Sequence, residues 1–147
     1  MVTPPRRAVV VLCGPPGAGK TTAARASGLT VYDRDDARWR SDREFVAALA
    51  ALGRDRSARA VVIRTGATSA ARRRTARLVR ATHVYVVLGS DHAHRINRRR
   101  RADAARTVAG VRTWFARFDR ADHVQQFPGW EHVELPAAPA PPTSEPW

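Results

Sequence analysis

Ala8-Val-Val-Val-Leu-Cys13, followed without a break by Gly14-Pro-Pro-Gly-Ala-Gly-Lys20-Thr21-Thr22, decides how the rest of the chain is read. Six apolar residues rich in β-branched types, with no polar alternation, describe a strand buried on both faces, as in a parallel sheet. The next eight residues satisfy G-x-x-x-x-G-K-[ST] between that strand and a helix predicted over Lys20 to about Ser27, ended by Gly28. Glycines let successive backbone N–H groups curl around a phosphate. The lysine ammonium reaches the β- and γ-phosphates, and the following hydroxyl faces Mg²⁺. Gly14, Pro15, Pro16, Gly17, Ala18, Gly19, Lys20, Thr21 and Thr22 are therefore the candidate residues for nucleotide phosphates, with ATP and Mg²⁺ as the expected cofactors.

The composition sharpens this reading. The chain has 147 residues, 26 basic against 13 acidic, for a formal net charge of +13. All but one of the basic residues are arginines, and the exception is Lys20. An arginine bias with abundant alanine is what GC-rich coding produces, so it points only softly to an anionic partner. A single lysine at the one position where a compact ammonium is needed is more specific, because a planar guanidinium does not fill the same slot. Cys13, the only cysteine, reads as a small buried residue and excludes an internal disulfide. The histidines have no triad or metal spacing. No apolar run approaches the roughly 18 residues of a membrane span, and the first residues lack a secretory signal. The expectation is a soluble, cytoplasmic protein of a bacterial cell or phage-infected host, with no membrane partner and an oligomeric state left open.

Outward from the loop, strands and helices alternate. Strands are predicted at Thr30–Tyr32, Ala60–Ile63, His83–Leu88 and, weakly, His132–Leu135. Ser41-Asp-Arg-Glu44 has capping-box form and opens a helix with Phe45, Val46, Leu49 and Leu52 on its apolar stripe, ended by Gly53. Ser69 to about Arg80 is a basic helix, and Asp91 to Arg101 a second, very basic one. Thr107 to Asp119 places Val108, Val111, Trp114, Phe115 and Phe118 at helical spacing, so one face is expected to pack. The pattern predicts an open α/β fold with a mainly parallel sheet of about five strands. It occupies residues 1–135 and leaves 136–147, with five of the ten prolines, as a tail expected to be disordered.

A second cluster, Asp33-Arg-Asp-Asp-Ala-Arg38, follows the second strand. Ligands in open parallel sheets sit at the carboxyl ends of strands, so this loop should border the phosphate loop. A carboxylate there can take the proton of an attacking hydroxyl or hold Mg²⁺ through water, and an arginine can grip an acceptor phosphate.

The phosphate loop, the Asp33–Arg38 cluster and the arginine-rich segment after the fourth strand together resemble the kinase domain of phage-type polynucleotide 5′-kinases over about residues 8–120. That resemblance implies a P-loop NTPase kinase-like three-layer sandwich. It further implies transfer of the γ-phosphate of ATP to a 5′-hydroxyl end of DNA or RNA. Asp35 would be the general base and Arg38 the acceptor-phosphate contact, with Asp33 and Arg34 beside it. Lys20 and Thr21 would serve the donor phosphates and Mg²⁺, with Asp33 reaching the metal through water. Arg95 and Arg99, four residues apart on one helix face, would stabilise the transferring charge. Where the family usually has an Asp and then an Asn after strand three, this chain has Thr65 and Ala67. That departure keeps two alternatives open: a kinase for a small acceptor such as a nucleoside, nucleotide, sugar or antibiotic, and a nucleotide-dependent nucleic-acid-binding module without transferase activity. The arginines of the 69–80 helix are either one wall of a nucleic-acid groove or a solvated face.

Overall fold

The computed structural model describes residues 6–89 and 101–138, with side chains in the second stretch from residue 108 onward. Among them lie five parallel strands: β1 (Ala8–Cys13), β2 (Thr30–Asp33), β3 (Arg59–Arg64), β4 (His83–Val86) and β5 (Gln125–Gln126). Their spatial order is β2-β3-β1-β4-β5. β1 runs in register with β3 from Ala8 opposite Arg59 to Cys13 opposite Arg64. It is the central strand and every residue in it is buried, which is why its sequence shows no alternation. Four α-helices also lie among the described residues: α1 (Lys20–Ala26), α2 (Asp42–Arg54), α3 (Ser69–Val79) and α4 (Arg101–Arg117).

The sheet divides the core. Val9, Val11, Ala60 and Val62 face Phe45, Leu49 and Leu52 of α2 and Val79 of α3. Val10, Leu12, Val61 and Ile63 face Ala24 of α1, with Phe127, Trp130 and Leu135 packed beside them. The result is a three-layer α/β sandwich: the alternation of elements predicts its parallel sheet, and the resemblance implies its layers.

Ser41 caps α2 from an extended conformation, its side chain accepting from the Glu44 backbone N–H at 3.1 Å. The return arm of the box reaches one residue further back, to Arg40 N at 3.4 Å. Three of the four expected apolar positions are buried, while Val46 stays 42% exposed. Gly53 does not end the helix. It lies buried inside α2 because a Cβ there would stand 2.1 Å from the Leu78 carbonyl oxygen, so its missing side chain lets α2 and α3 touch. The C-terminal carbonyls of both helices are gathered by one side chain, as the Arg7 guanidinium donates to Leu52 and Asp55 of one end and Val79 and Arg80 of the other.

Two further expectations are corrected and one, the packing of the last helix, is met in part. The fifth strand is Gln125–Gln126, paired with Tyr85–Val86, rather than His132–Leu135. In the latter region Trp130–His132 forms a 3₁₀ turn whose Trp130 Nε1 donates to Ala23 O at 2.7 Å, pinning the segment to α1. Packing of Phe127, Trp130 and Leu135 onto a core face outweighs a four-residue alternation. On α4, Trp114 is buried and stacks on Phe118, but Val108 and Phe115 remain 39% and 44% exposed. Arg72 on α3 is neither groove wall nor solvated. Buried, it donates to both carboxylate oxygens of Asp122, to Gly66 O and Ala67 O at 2.8 and 2.9 Å, and to Asp119 O. Of the expected tail, Pro136 and Ala138 accept from Arg59 and Arg6, and residues 139–147 lie outside the described residues. No helix among the described residues is long and apolar enough to cross a membrane.

Candidate active site

A cleft of about 620 Å³ opens at the carboxyl ends of β1, β2 and β3, lined by Pro16 to Thr22, by Asp33, Arg34 and Asp35, and by Ile63, Arg64 and Thr65. Its position follows from topology: parallel strands direct all three connecting loops to the same edge. The expected adjacency of the phosphate loop and the acidic loop is therefore present.

Gly19 carries φ of +96°, in the left-handed region that L side chains resist, and turns the chain directly into α1. Gly14 and Pro15 form the back of the loop, and Pro16 onward form its surface. Lys20 Nζ donates to Gly14 O at 2.5 Å, which holds the ammonium across the mouth of the loop. Burial pulls the Lys20 pKa down, while Cys13, Asp33 and Asp35 act in the opposite direction. Cys13 behind the loop is fully buried, and burial pushes its thiol up to about 12, so it is inert packing.

The link between the two loops is Asp33. One of its carboxylate oxygens accepts from Thr21 Oγ1 at 3.1 Å and the other from the Asp35 backbone N–H at 3.0 Å. This single side chain thus ties the phosphate-loop hydroxyl to the turn that presents Asp35. Hydroxyl and carboxylate oxygens are the donors that Mg²⁺ takes, and that ion keeps most of its shell as water and phosphate. No cluster of three or more His, Cys, Asp or Glu side chains suited to a metal occurs among the described residues. The pair Thr21 and Asp33 nevertheless fits a cation shared with a bound triphosphate.

The arginines are arranged differently from the sequence expectation. Arg34 lines the cleft, with its Nε paired to Asp42 at 2.5 Å. Arg38 turns away: its Nη2 donates to Val31 O at 2.8 Å and its guanidinium lies 4.5 Å over the Trp39 ring and 5.4 Å from Tyr32. It fastens the turn to β2 and is not among the residues lining the cleft. Arg64, which sequence reasoning passed over, does line it. The signal was available, since Arg64 is the last residue of a strand whose end must face the cleft, but one arginine among so many carries no contrast. Thr65 belongs to the same rim, its carbonyl accepting from Gly14 N at 3.1 Å and from Trp114 Nε1 at 2.6 Å. Arg95 and Arg99 lie outside the described residues.

No protein-family model and no curated protein matches the sequence. Among solved structures, a gluconokinase from Sinorhizobium meliloti 1021 is similar over 83% of this chain and 82% of its own, at 15% identity and a TM-score of 0.54. The fold is that of a P-loop kinase. Kti12 of Chaetomium thermophilum, solved in complex with ADP-AlF3, is similar over 86% of this chain and 91% of its own, at 22% identity and a TM-score of 0.48. At 15% identity the likeness to the gluconokinase speaks for the fold alone and leaves the acceptor to be argued from the site.

Proposed function

We propose that this P-loop kinase fold performs ATP-dependent phosphoryl transfer to the hydroxyl of a small acceptor. The observation that carries the reading is the Thr21–Asp33–Asp35 connection, which sets a candidate base beside the phosphate loop within one cleft. Pro16 to Thr22, which line the cleft, would hold a bound triphosphate, and Lys20 would serve its β- and γ-phosphates. Thr21, and Asp33 through water, would hold Mg²⁺, which when bound neutralises phosphate charge. The acceptor hydroxyl oxygen attacks the γ-phosphorus while the bond to the β–γ bridging oxygen breaks, releasing ADP. Asp35 takes the hydroxyl proton. Lys20 meets the charge that develops, and Arg95 and Arg99 are the proposed second source of positive charge.

A small acceptor is favoured because two cations that sequence reading offered to a nucleic acid are used internally: Arg38 packs on Tyr32 and Trp39, and Arg72 is buried against Asp122. The Asp33–Arg38 pattern supports a second reading, transfer to a 5′-hydroxyl end of DNA or RNA. One assay separates them: γ-labelled ATP with Mg²⁺, offered sugars, sugar acids, nucleosides, nucleotides, and 5′-hydroxyl and 5′-phosphate oligonucleotides in parallel. Label on a small acceptor and none on oligonucleotides is the expected result, abolished by Lys20→Ala. Label confined to 5′-hydroxyl oligonucleotides would restore the polynucleotide reading. Transfer to nothing, with ATP-sensitive oligonucleotide binding intact, would favour a binding module.

A further inference from the structure

Arg64 ends β3, between the strand that feeds the phosphate loop and the strand that feeds the acidic turn. It shares a face with Ala60 and Val62, which pack toward α2 and α3, whereas α1 and its Lys20 belong to the opposite layer. The guanidinium sits 5.5 Å from the Phe45 ring centroid of α2 while lining the cleft. Its contrast with the neighbouring arginines is chemical. Arg34 is paired with Asp42, Arg38 with a backbone carbonyl and two rings, and Arg72 with Asp122. Among the described residues no carboxylate lies within ion-pair distance of Arg64, and its contact is the face of an aromatic ring, which leaves all five N–H donors for a ligand. An arginine backed by a ring and open to a cleft is suited to gripping a carboxylate or phosphate with two parallel hydrogen bonds. Arg64 lies on the α2 side of the sheet and lines the same cleft as Asp35.

We infer that Arg64 is the acceptor-binding arginine and that the acceptor is a hydroxyl compound bearing its own anionic group, a carboxylate or a phosphate. The inference rests on the phosphotransferase reading for the word acceptor, but anion binding can be measured without transfer. The experiment is equilibrium binding to the whole protein carrying Mg²⁺ and the non-hydrolysable analogue AMPPNP. Three pairs serve as probes: gluconate against glucose, ribose 5-phosphate against ribose, and a nucleoside 3′-monophosphate against its nucleoside. At least one anion is expected to bind ten-fold or more tightly than its neutral counterpart, and which pair shows it distinguishes carboxylate from phosphate. Arg64→Met, which keeps an unbranched stem over Phe45, should erase that preference while AMPPNP affinity stays within two-fold. Arg64→Lys, which retains the charge without the fork, should retain only part of it. Absence of any anion preference in the parent protein overturns the inference, and so does a preference that survives Arg64→Met. Equal loss of AMPPNP and anion binding assigns Arg64 to the donor side or to folding, and overturns it too. An Arg64-dependent preference without labelled product would keep Arg64 as the anion-binding residue of the cleft and remove the transferase reading.

Discussion

At the scale of single residues, function in this site depends on where a side chain's hydrogen bonds are spent. Asp33, Asp35 and Asp36 are close in sequence and differ in use. Asp33 accepts from Thr21 and from the Asp35 backbone, and Asp36 accepts from the Arg38 backbone, whereas Asp35 lines the cleft. Asp35→Asn removes the proton acceptor while keeping shape. Turnover should fall by about 10²–10⁴-fold, the usual contribution of a general base, with the KM for ATP little changed, as steady-state kinetics at saturating Mg²⁺ would show. Near-parental turnover would take the base role away from Asp35. The motif residues Lys20 and Thr21 were legible in advance because their spacing encodes a local backbone shape. The roles of Arg38 and Arg64 were not, because an arginine's partner is chosen by packing across elements.

At the scale of elements, helix ends and helix contacts follow different rules. Ser41 and Glu44 are read correctly as a helix start because capping is local, satisfied within four residues. Gly53 resembles a helix stop by the same local logic, yet its reason is the Leu78 carbonyl on α3. Alanine at a solvent-facing helical glycine gains about 1 kcal/mol. Gly53→Ala should instead destabilise, by about 1–3 kcal/mol, because the two helices must separate to admit the methyl. Thermal unfolding followed by far-UV circular dichroism reads the sign directly: a lower Tm is expected, and an increase would show that the helices yield freely. The weak last strand failed for a similar reason. Trp130 is held by Ala23 of α1, a partner more than a hundred residues away that no window over His132–Leu135 contains.

At the scale of the whole molecule, Arg72 and two acids tie the rim of the cleft to the turn after α4. Asp119 is held down to about 2 chiefly by the Ser69 backbone N–H, and hydrogen bonding from Arg72 lowers Asp122 as well. Folding therefore weakens proton binding at both carboxylates. The unfolded chain protonates first as pH drops, so this stabilisation is complete above the unfolded value, about 4, and is lost as pH falls toward about 2. Asp119→Ala should have a lower Tm than the parent at pH 6, and the gap should narrow steadily toward pH 2 in a series of thermal melts. A constant gap across that range would mean the carboxylate's ionisation does not contribute. The sequence by itself determined the sheet's central strand, the phosphate loop with its one lysine, and the alternation that makes the sheet parallel. These are periodic or short-range patterns, and the physics behind them acts within a few residues. Only the tertiary structure decided which charges are free. It buries Arg72 on Asp122, folds Arg38 onto Trp39 and leaves Arg64 facing the cleft, because burying a guanidinium requires carboxylates and carbonyls that the fold brings from distant parts of the chain.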